Sequence, residues 1–233
     1  MATHSSSVDG RRRGGVEVLD APDLDPHLGR RSLRDVALAN ALFGGADAVV
    51  REITEMLPEL PRHVTLLDVG TGLGDIPARA RAATRRSGVV LETVGLEAAE
   101  WAAIASRPQT ELSIVGNALA LPFADASIDI VTCSQVLHHF FDGDAQQLVR
   151  ELDRVARRRV IISEIRRSRV AAAGIWAASF LLGFHPVSRH DGVVSVMRGF
   201  TPGELRDVVR GTTGREPRVR RRLGFRVTAT WTP

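Results

Sequence analysis

The stretch Val64-Thr65-Leu66-Leu67-Asp68-Val69-Gly70-Thr71-Gly72-Leu73-Gly74-Asp75 decides how the rest of the chain is arranged. Residues 64–69 form a short apolar run, β-branched at Val64, Thr65 and Val69. Such a run, closed by turn residues, reads as a buried parallel strand. Glycines follow at alternate positions, Gly70, Gly72 and Gly74, and a helical segment then covers about 75–86. Strand, glycine turn and helix is the layout of a nucleotide-type cofactor site. Glycine accepts positive φ, and its missing side chain lets a ligand lie against the main chain. The dinucleotide fingerprint spaces its glycines as G-x-G-x-x-G. Here the spacing is G-x-G-x-G, with Asp68 two residues ahead of the first glycine. The loop alone leaves open a tight turn that holds no ligand.

Downstream, residues 89–96 read as a second strand that ends at Glu97. Nucleotide folds place an acidic residue there to accept hydrogen bonds from ribose hydroxyls. A carboxylate at the start of a helix over 98–106 is a compatible second reading. A third strand covers 112–115, ahead of Gly116-Asn117-Ala118. A fourth lies within 127–134, and the loop 135–141 after it carries His138 and His139. A helix over 142–156 and a fifth strand over 159–165 follow. Upstream, 1–15 is polar and reads as a disordered tail. Residues 16–28, with Asp20, Pro22, Asp23, Asp25 and Pro26, read as an extended arm or turn. Helices over 29–43 and 46–57 suit a cap over the pocket. Arg34 and Asn40 lie on that cap, as substrate contacts or as surface and capping residues.

With these residues in place, the chain resembles class I S-adenosylmethionine-dependent methyltransferases. The Asp68–Gly74 loop, Asn117-Ala118, Leu121-Pro122-Phe123, Asp125, Ser127, Asp129 and Leu137-His138-His139 carry the resemblance, over about 66–165. The ubiquinone- and menaquinone-biosynthesis type and related small-molecule enzymes are the most similar by eye. The resemblance implies an α/β, Rossmann-like fold. That fold is a seven-stranded, mostly parallel sheet with one antiparallel edge strand and helices on both faces. It assigns 61–233 to the methyltransferase domain and 16–60 to an arm and helical cap. It also implies S-adenosyl-L-methionine as cofactor, with Asp68 orienting the methionyl end and the backbone of Gly70, Thr71, Gly72 and Gly74 packed on it. Glu97, Asn117, Ala118 and Ser134 complete the implied cofactor set. Many relatives have aspartate where Asn117 stands, and asparagine can still accept through its carbonyl oxygen.

Methyl transfer from a sulfonium leaves the protein to align the acceptor and exclude water. A phenolic acceptor gains from a histidine base, and His138, His139 and His190 are the candidates, each with a structural alternative. His190 stands between Arg189 and Asp191 in a segment expected over the carboxyl ends of the sheet. Residues 170–184 contain no charge and include Trp176. They read as a core helix, as the lining of a greasy pocket, or as a surface helix at a membrane with arginines at its start. This segment opens an apolar insertion over about 168–200. Gln135, Trp176 and Arg189 join Arg34 and Asn40 as substrate candidates. The Asn-Pro-Pro-Tyr type of sequence after the fourth strand, found in amide and adenine-amino methyltransferases, is replaced by Ser134-Gln135-Val136-Leu137. The expected acceptor is therefore a small hydrophobic aromatic, phenolic or quinone-like metabolite, with O-methylation ahead of C-methylation.

Composition narrows the classes further. The net charge of +4 comes from arginine alone, since the chain has no lysine. The arginine clusters have no interleaved aromatics to stack bases, which disfavours nucleic acid. An RNA-modifying enzyme and a non-catalytic scaffold of the same fold remain as alternatives. One cysteine excludes an intramolecular disulfide and a cysteine-built metal site, and the histidine spacing predicts no metal. The start of the chain lacks a charged-then-apolar leader, which predicts a cytoplasmic protein, monomeric or homodimeric, with peripheral membrane contact open.

Overall fold

The structure is a computed structural model and describes residues 15–21 and 23–233. The expected tail lies outside the described residues except for Gly15. Seven strands form one sheet: β1 (His63–Val69), β2 (Val90–Glu97), β3 (Leu112–Val115), β4 (Ile128–Ser134), β5 (Ala156–Ile165), β6 (Arg218–Arg222) and β7 (Arg226–Trp231). Their order is β3-β2-β1-β4-β5-β7-β6. β1 pairs in parallel with both β2 and β4, and the parallel pairing extends to β3 and β5. β7 runs antiparallel to both β5 and β6. The reversed strand therefore lies one place in from the edge, with β6 outermost. The fifth strand also begins earlier than its apolar centre suggests, at Ala156, because Ala156 pairs with Ile128 of β4.

Side chains along the central strands alternate between two buried clusters, as the period of two requires. Val64, Leu66, Ile130 and Ile161 face one way. Leu67, Val69, Val131, Cys133, Val160 and Ile162 face the other. α2 (Gly45–Glu55) and α3 (Asp75–Arg85) cover the first face, with Ala46, Val49 and Ile53 of α2 fully buried there. α5 (Asp142–Val155) and α8 (Pro202–Thr213) cover the second through Leu148, Leu152, Leu205 and Val209. The second N-terminal helix is thus part of the sheet sandwich and not of a cap. Its apolar residues recur at helical spacing, and the sheet face needs them.

The cap is α1 (Pro26–Leu42). It begins at Asp25, whose side chain accepts from the His27 amide, with Pro26 in the first turn. It packs on α2, on α4 (Glu100–Ser106) and on α7 (Pro186–Arg198). The expected insertion forms a helix pair, α6 (Arg169–Leu181) and α7, between β5 and α8. Thr201-Pro202-Gly203-Glu204 starts α8 with a reciprocal capping box. The strand order reverses between β1 and β4, and the loops leaving their carboxyl ends open a crevice at that point, where open α/β sheets bind ligands.

Candidate active site

The loop after β1 divides its glycines by task. All three have positive φ: 70° at Gly70, 60° at Gly72 and 78° at Gly74. A Cβ on Gly70 would meet Val136 Cγ2 at 2.3 Å, and one on Gly74 would meet Gln109 Cβ at 2.8 Å. The fold itself needs those two glycines. A Cβ on Gly72 meets only Leu33 Cδ2, at 3.9 Å. Gly72 therefore keeps open space in front of the backbone, and its amide donates to Glu97 Oε1 at 2.5 Å. Gly70 N–H and Thr71 N–H both donate to Leu96 O, which ties the loop to the end of β2.

Asp68 lies beneath this loop, almost fully buried. Thr132 Oγ1 donates to its Oδ1 at 2.6 Å, and Thr71 Oγ1 to its Oδ2 at 2.9 Å. Burial nevertheless outweighs both hydroxyls, and the nearby Asp75 and Glu97 charges add to it, raising its pKa to about 7. Burial likewise raises Glu97, against the Gly72 and Ala98 amides. A pair of raised carboxyls at one loop is electrostatically ready for a cationic ligand group.

The crevice is a cavity of about 1110 Å³. Ligand sites commonly occupy about 300–1,000 Å³, so this one has room for two small molecules. Gly70, Thr71, Gly72, Glu97, Ala118 and Ser134 line it at the sheet. Ser134 Oγ is enclosed with no hydrogen-bond partner among the described residues. Phe43, Trp101, Ile165, Ile175 and Phe184 line a mainly apolar remainder.

His138 and His139 stand where these two parts meet. They follow β4 on a short 3-10 turn, Leu137–His139, with their rings stacked 4.3 Å apart. His138 is buried, and its Nδ1 shares a 2.8 Å hydrogen bond with Glu164 of β5. His139 Nδ1 lies 2.8 Å from Asp20 Oδ1 and 3.9 Å from Glu17 Oε2. Burial pulls the His139 pKa down, but the Asp20 hydrogen bond and the Glu17, Asp20 and Glu164 charges outweigh it and hold it above the usual value. Burial conversely raises Asp20, and the His139 and Arg198 contacts overcome it and leave the carboxyl below its ordinary range.

The sequence reading missed Glu17 and Asp20 as site residues. They arrive on the arm, and two residues of α7 hold the arm down. Asp191 accepts from the amides of Val18 and Leu19, both at 3.0 Å. Arg198 reaches Glu17 at 3.5 Å and Asp20 at 3.3 Å, and also donates to Gly15 O. The signal was present as an acidic, proline-containing arm, but sequence alone gives no docking partner for such a segment. Glu17, His138 and His139 are also a group, among the described residues, with ligand atoms within 4.8 Å of one another. The Arg198 guanidinium beside these carboxylates already supplies their countercharge, so the arrangement works as an acid–base network.

Comparison with known proteins agrees with the geometry. Residues 67–163 match the family described as methyltransferase domain. An uncharacterised methyltransferase of Bacillus subtilis, YcgJ, is 36% identical over 97 residues, 39% of this chain and 35% of that protein. This matched stretch spans about a third of the relative's length. Residues 67–163 form a class I methyltransferase domain. Solved structures extend the likeness of fold over most of the chain. A SAM-dependent methyltransferase from Aquifex aeolicus superposes with a TM-score of 0.59 at 14% identity, covering 90% of this chain and 99% of that one. Magnesium protoporphyrin IX methyltransferase from Synechocystis, solved with bound SAH, gives 0.55 at 14% identity, covering 92% and 90%.

Within the methyltransferase domain and its flanks, several expected site residues sit elsewhere. Asn117 is exposed and off the cavity wall. Its Oδ1 accepts from Leu119 N at 2.9 Å in a local turn, so its carbonyl is already used, whereas Ala118 faces the cavity. Asn40 and Gln135 do line the cavity. Gln135 adopts φ 57°, an uncommon value for a side-chain-bearing residue. Its amide nitrogen and Arg226 Nη2 both donate to Asn40 Oδ1. Arg34 is exposed on α1 and does not line the cavity. His190 is corrected as a base candidate: it points outward, half exposed, and bonds its neighbour Asp191 at 2.9 Å. Arg189 bonds Ser179 Oγ and Phe184 O and stacks on Phe180, a packing role within the helix pair. Trp176 lies on the outer face of α6, away from the cavity wall.

Proposed function

We propose that the protein transfers a methyl group from S-adenosyl-L-methionine to a small hydrophobic acceptor, an aromatic, phenolic or quinone-like metabolite. Oxygen is favoured over carbon as the methylated atom. One observation carries this reading: a single cavity joins the Gly72–Glu97 loop to an apolar chamber, with His139 at the junction. When bound, the cofactor supplies an activated methyl on a sulfonium. Gly72 leaves it room, Glu97 offers a carboxylate toward hydroxyls, and Asp68 underlies the loop. Ser134 and Ala118 complete that wall. The apolar chamber aligns the acceptor and keeps water out, which is the main contribution a protein makes to such a displacement. His139, oriented by Asp20 through Nδ1, takes the acceptor's proton. Asn40 and Gln135 position the acceptor's polar end.

The RNA-modifying alternative loses support because the arginine clusters are largely paired. Arg157 and Arg158 bind Asp129, Arg167 binds Glu204, and Arg220 and Arg222 bind Glu52 and Glu55. Incubation with a panel of lipophilic phenols and quinols and labelled cofactor tests the proposal. It predicts methylated product from wild type and roughly 100-fold less from His139→Ala. Cofactor binding with no transfer to any acceptor in the panel would instead support the scaffold reading.

A further inference from the structure

We infer that α6 is an interfacial helix that docks the protein on an anionic lipid surface and sets the acceptor cavity against the membrane. The inference builds on the reading of a hydrophobic acceptor. Residues 170–182 of this segment carry no charge, and an apolar helix of that kind normally lies inside a core. Here only one side is covered. Ala171, Gly174 and Ile175 line the cavity, and Ala172 and Ser179 are buried. The opposite side presents Val170, Trp176, Phe180 and Leu181 at 71%, 53%, 51% and 91% exposure. These positions recur at helical spacing, and Trp176 packs edge-on against Phe180. Across the same cavity, the turn between β6 and β7 adds exposed Leu223 and the cavity-lining Phe225.

Charge selects the occupant of this face. The Arg189 guanidinium lies 3.5 Å over the Phe180 ring, and that of Arg166 lies 5.0 Å over Phe225. Arg169 opens the helix and is exposed. None of the three has a salt bridge to a described carboxylate. Aromatic and leucine side chains flanked by arginine are the composition of helices that lie in the plane of a lipid–water interface. With 13 residues α6 lies on a bilayer and does not cross it, and no described helix is long and apolar enough to do so. Packing this face on a second copy would set arginines against arginines, which costs affinity. An anionic headgroup layer satisfies both the apolar side chains and the guanidinium groups. A lipophilic acceptor then enters from the lipid through the gap between α6 and the β6–β7 turn.

The test is vesicle co-sedimentation of the full chain, without cofactor or acceptor. Phosphatidylcholine vesicles are compared with vesicles that also contain phosphatidylglycerol. Binding to the anionic vesicles alone is expected, weakening as salt rises. A Phe180→Ser, Leu181→Ser double variant, both positions being exposed, is expected to keep its melting temperature and bind at least about tenfold less. Trp176 emission should shift to the blue on binding, and Trp176→Phe should remove the shift. Failure to bind anionic vesicles, or equal binding by the double variant, overturns the inference. So does a concentration-dependent dimer in ultracentrifugation that the double variant dissociates, because a second copy would then cover the face. The assay involves no methyl transfer, so a failure here leaves the enzymatic reading standing, and the reverse also holds.

Discussion

His139 takes its orientation from a carboxylate near the other end of the chain, and this contact fixes how the site should respond to pH. The Asp20 hydrogen bond and the surrounding carboxylates favour the imidazolium, so the folded pKa stands above the ordinary histidine value. The neutral ring is the base, and the transfer rate should therefore climb as pH rises through that elevated value. Asp20→Asn removes the charge that favours the imidazolium, which lowers the pKa. The ascending limb of the pH–rate profile should then move to lower pH, with a reduced plateau from lost orientation. An unmoved limb would separate Asp20 from the base. Asp68 gives a second pH signature of opposite kind. Its folded pKa is raised to about 7 by burial, so the folded state binds more protons than the unfolded between about pH 4 and 7. Stability from this group is present at low pH and is lost as pH rises through that window. Asp68→Asn should become progressively more stable relative to wild type across the window, read as a growing difference in melting temperature.

At the scale of elements, the arm of residues 15–21 behaves as a clasped strap. Asp191 holds two of its amides, and Arg198 binds its carboxylates. Asp191→Ala should release the strap and lower turnover by up to about 100-fold through loss of alignment at His139. Affinity for S-adenosylhomocysteine should change little, since the glycine loop lies on other elements. His190→Ala, at an outward ring, should leave turnover unchanged. Equal losses in both variants would argue that α7 itself, and not the clasp, is what matters. The capping box of α8 offers a plainer check. Thr201→Ala should cost about 1 kcal/mol in chemical denaturation.

At the scale of the molecule, some parts of the design are visible in the sequence for clear physical reasons. The central strands are continuous apolar runs because both faces are buried. The glycines mark the loop because their φ values admit little else, and the mostly parallel sheet follows from that pattern. The N-terminal helices were harder to assign. Periodicity gives α2 an apolar face but does not say whether that face meets the sheet or the cavity. The order of the last two strands was likewise hidden, because a hairpin reads the same whichever strand lies outermost. The base candidates diverged for a related reason. Arg189, His190 and Asp191 are adjacent in sequence, but on a helix successive residues point in different directions, and only Asp191 turns inward to the arm. The contacts of Glu17 and Asp20 span nearly the whole chain, and no local pattern encodes such pairing.

The measurement that bears most directly on the account is calorimetric titration with S-adenosylhomocysteine, with NAD as control, on wild type and on Gly72→Arg. The middle glycine is singled out because its Cβ meets open cavity whereas those of its neighbours meet protein. The account predicts micromolar binding of S-adenosylhomocysteine alone by wild type, and loss of that binding in a Gly72→Arg protein that remains folded. Folded wild type that binds neither compound, or a Gly72→Arg protein that binds as tightly as wild type, would contradict it.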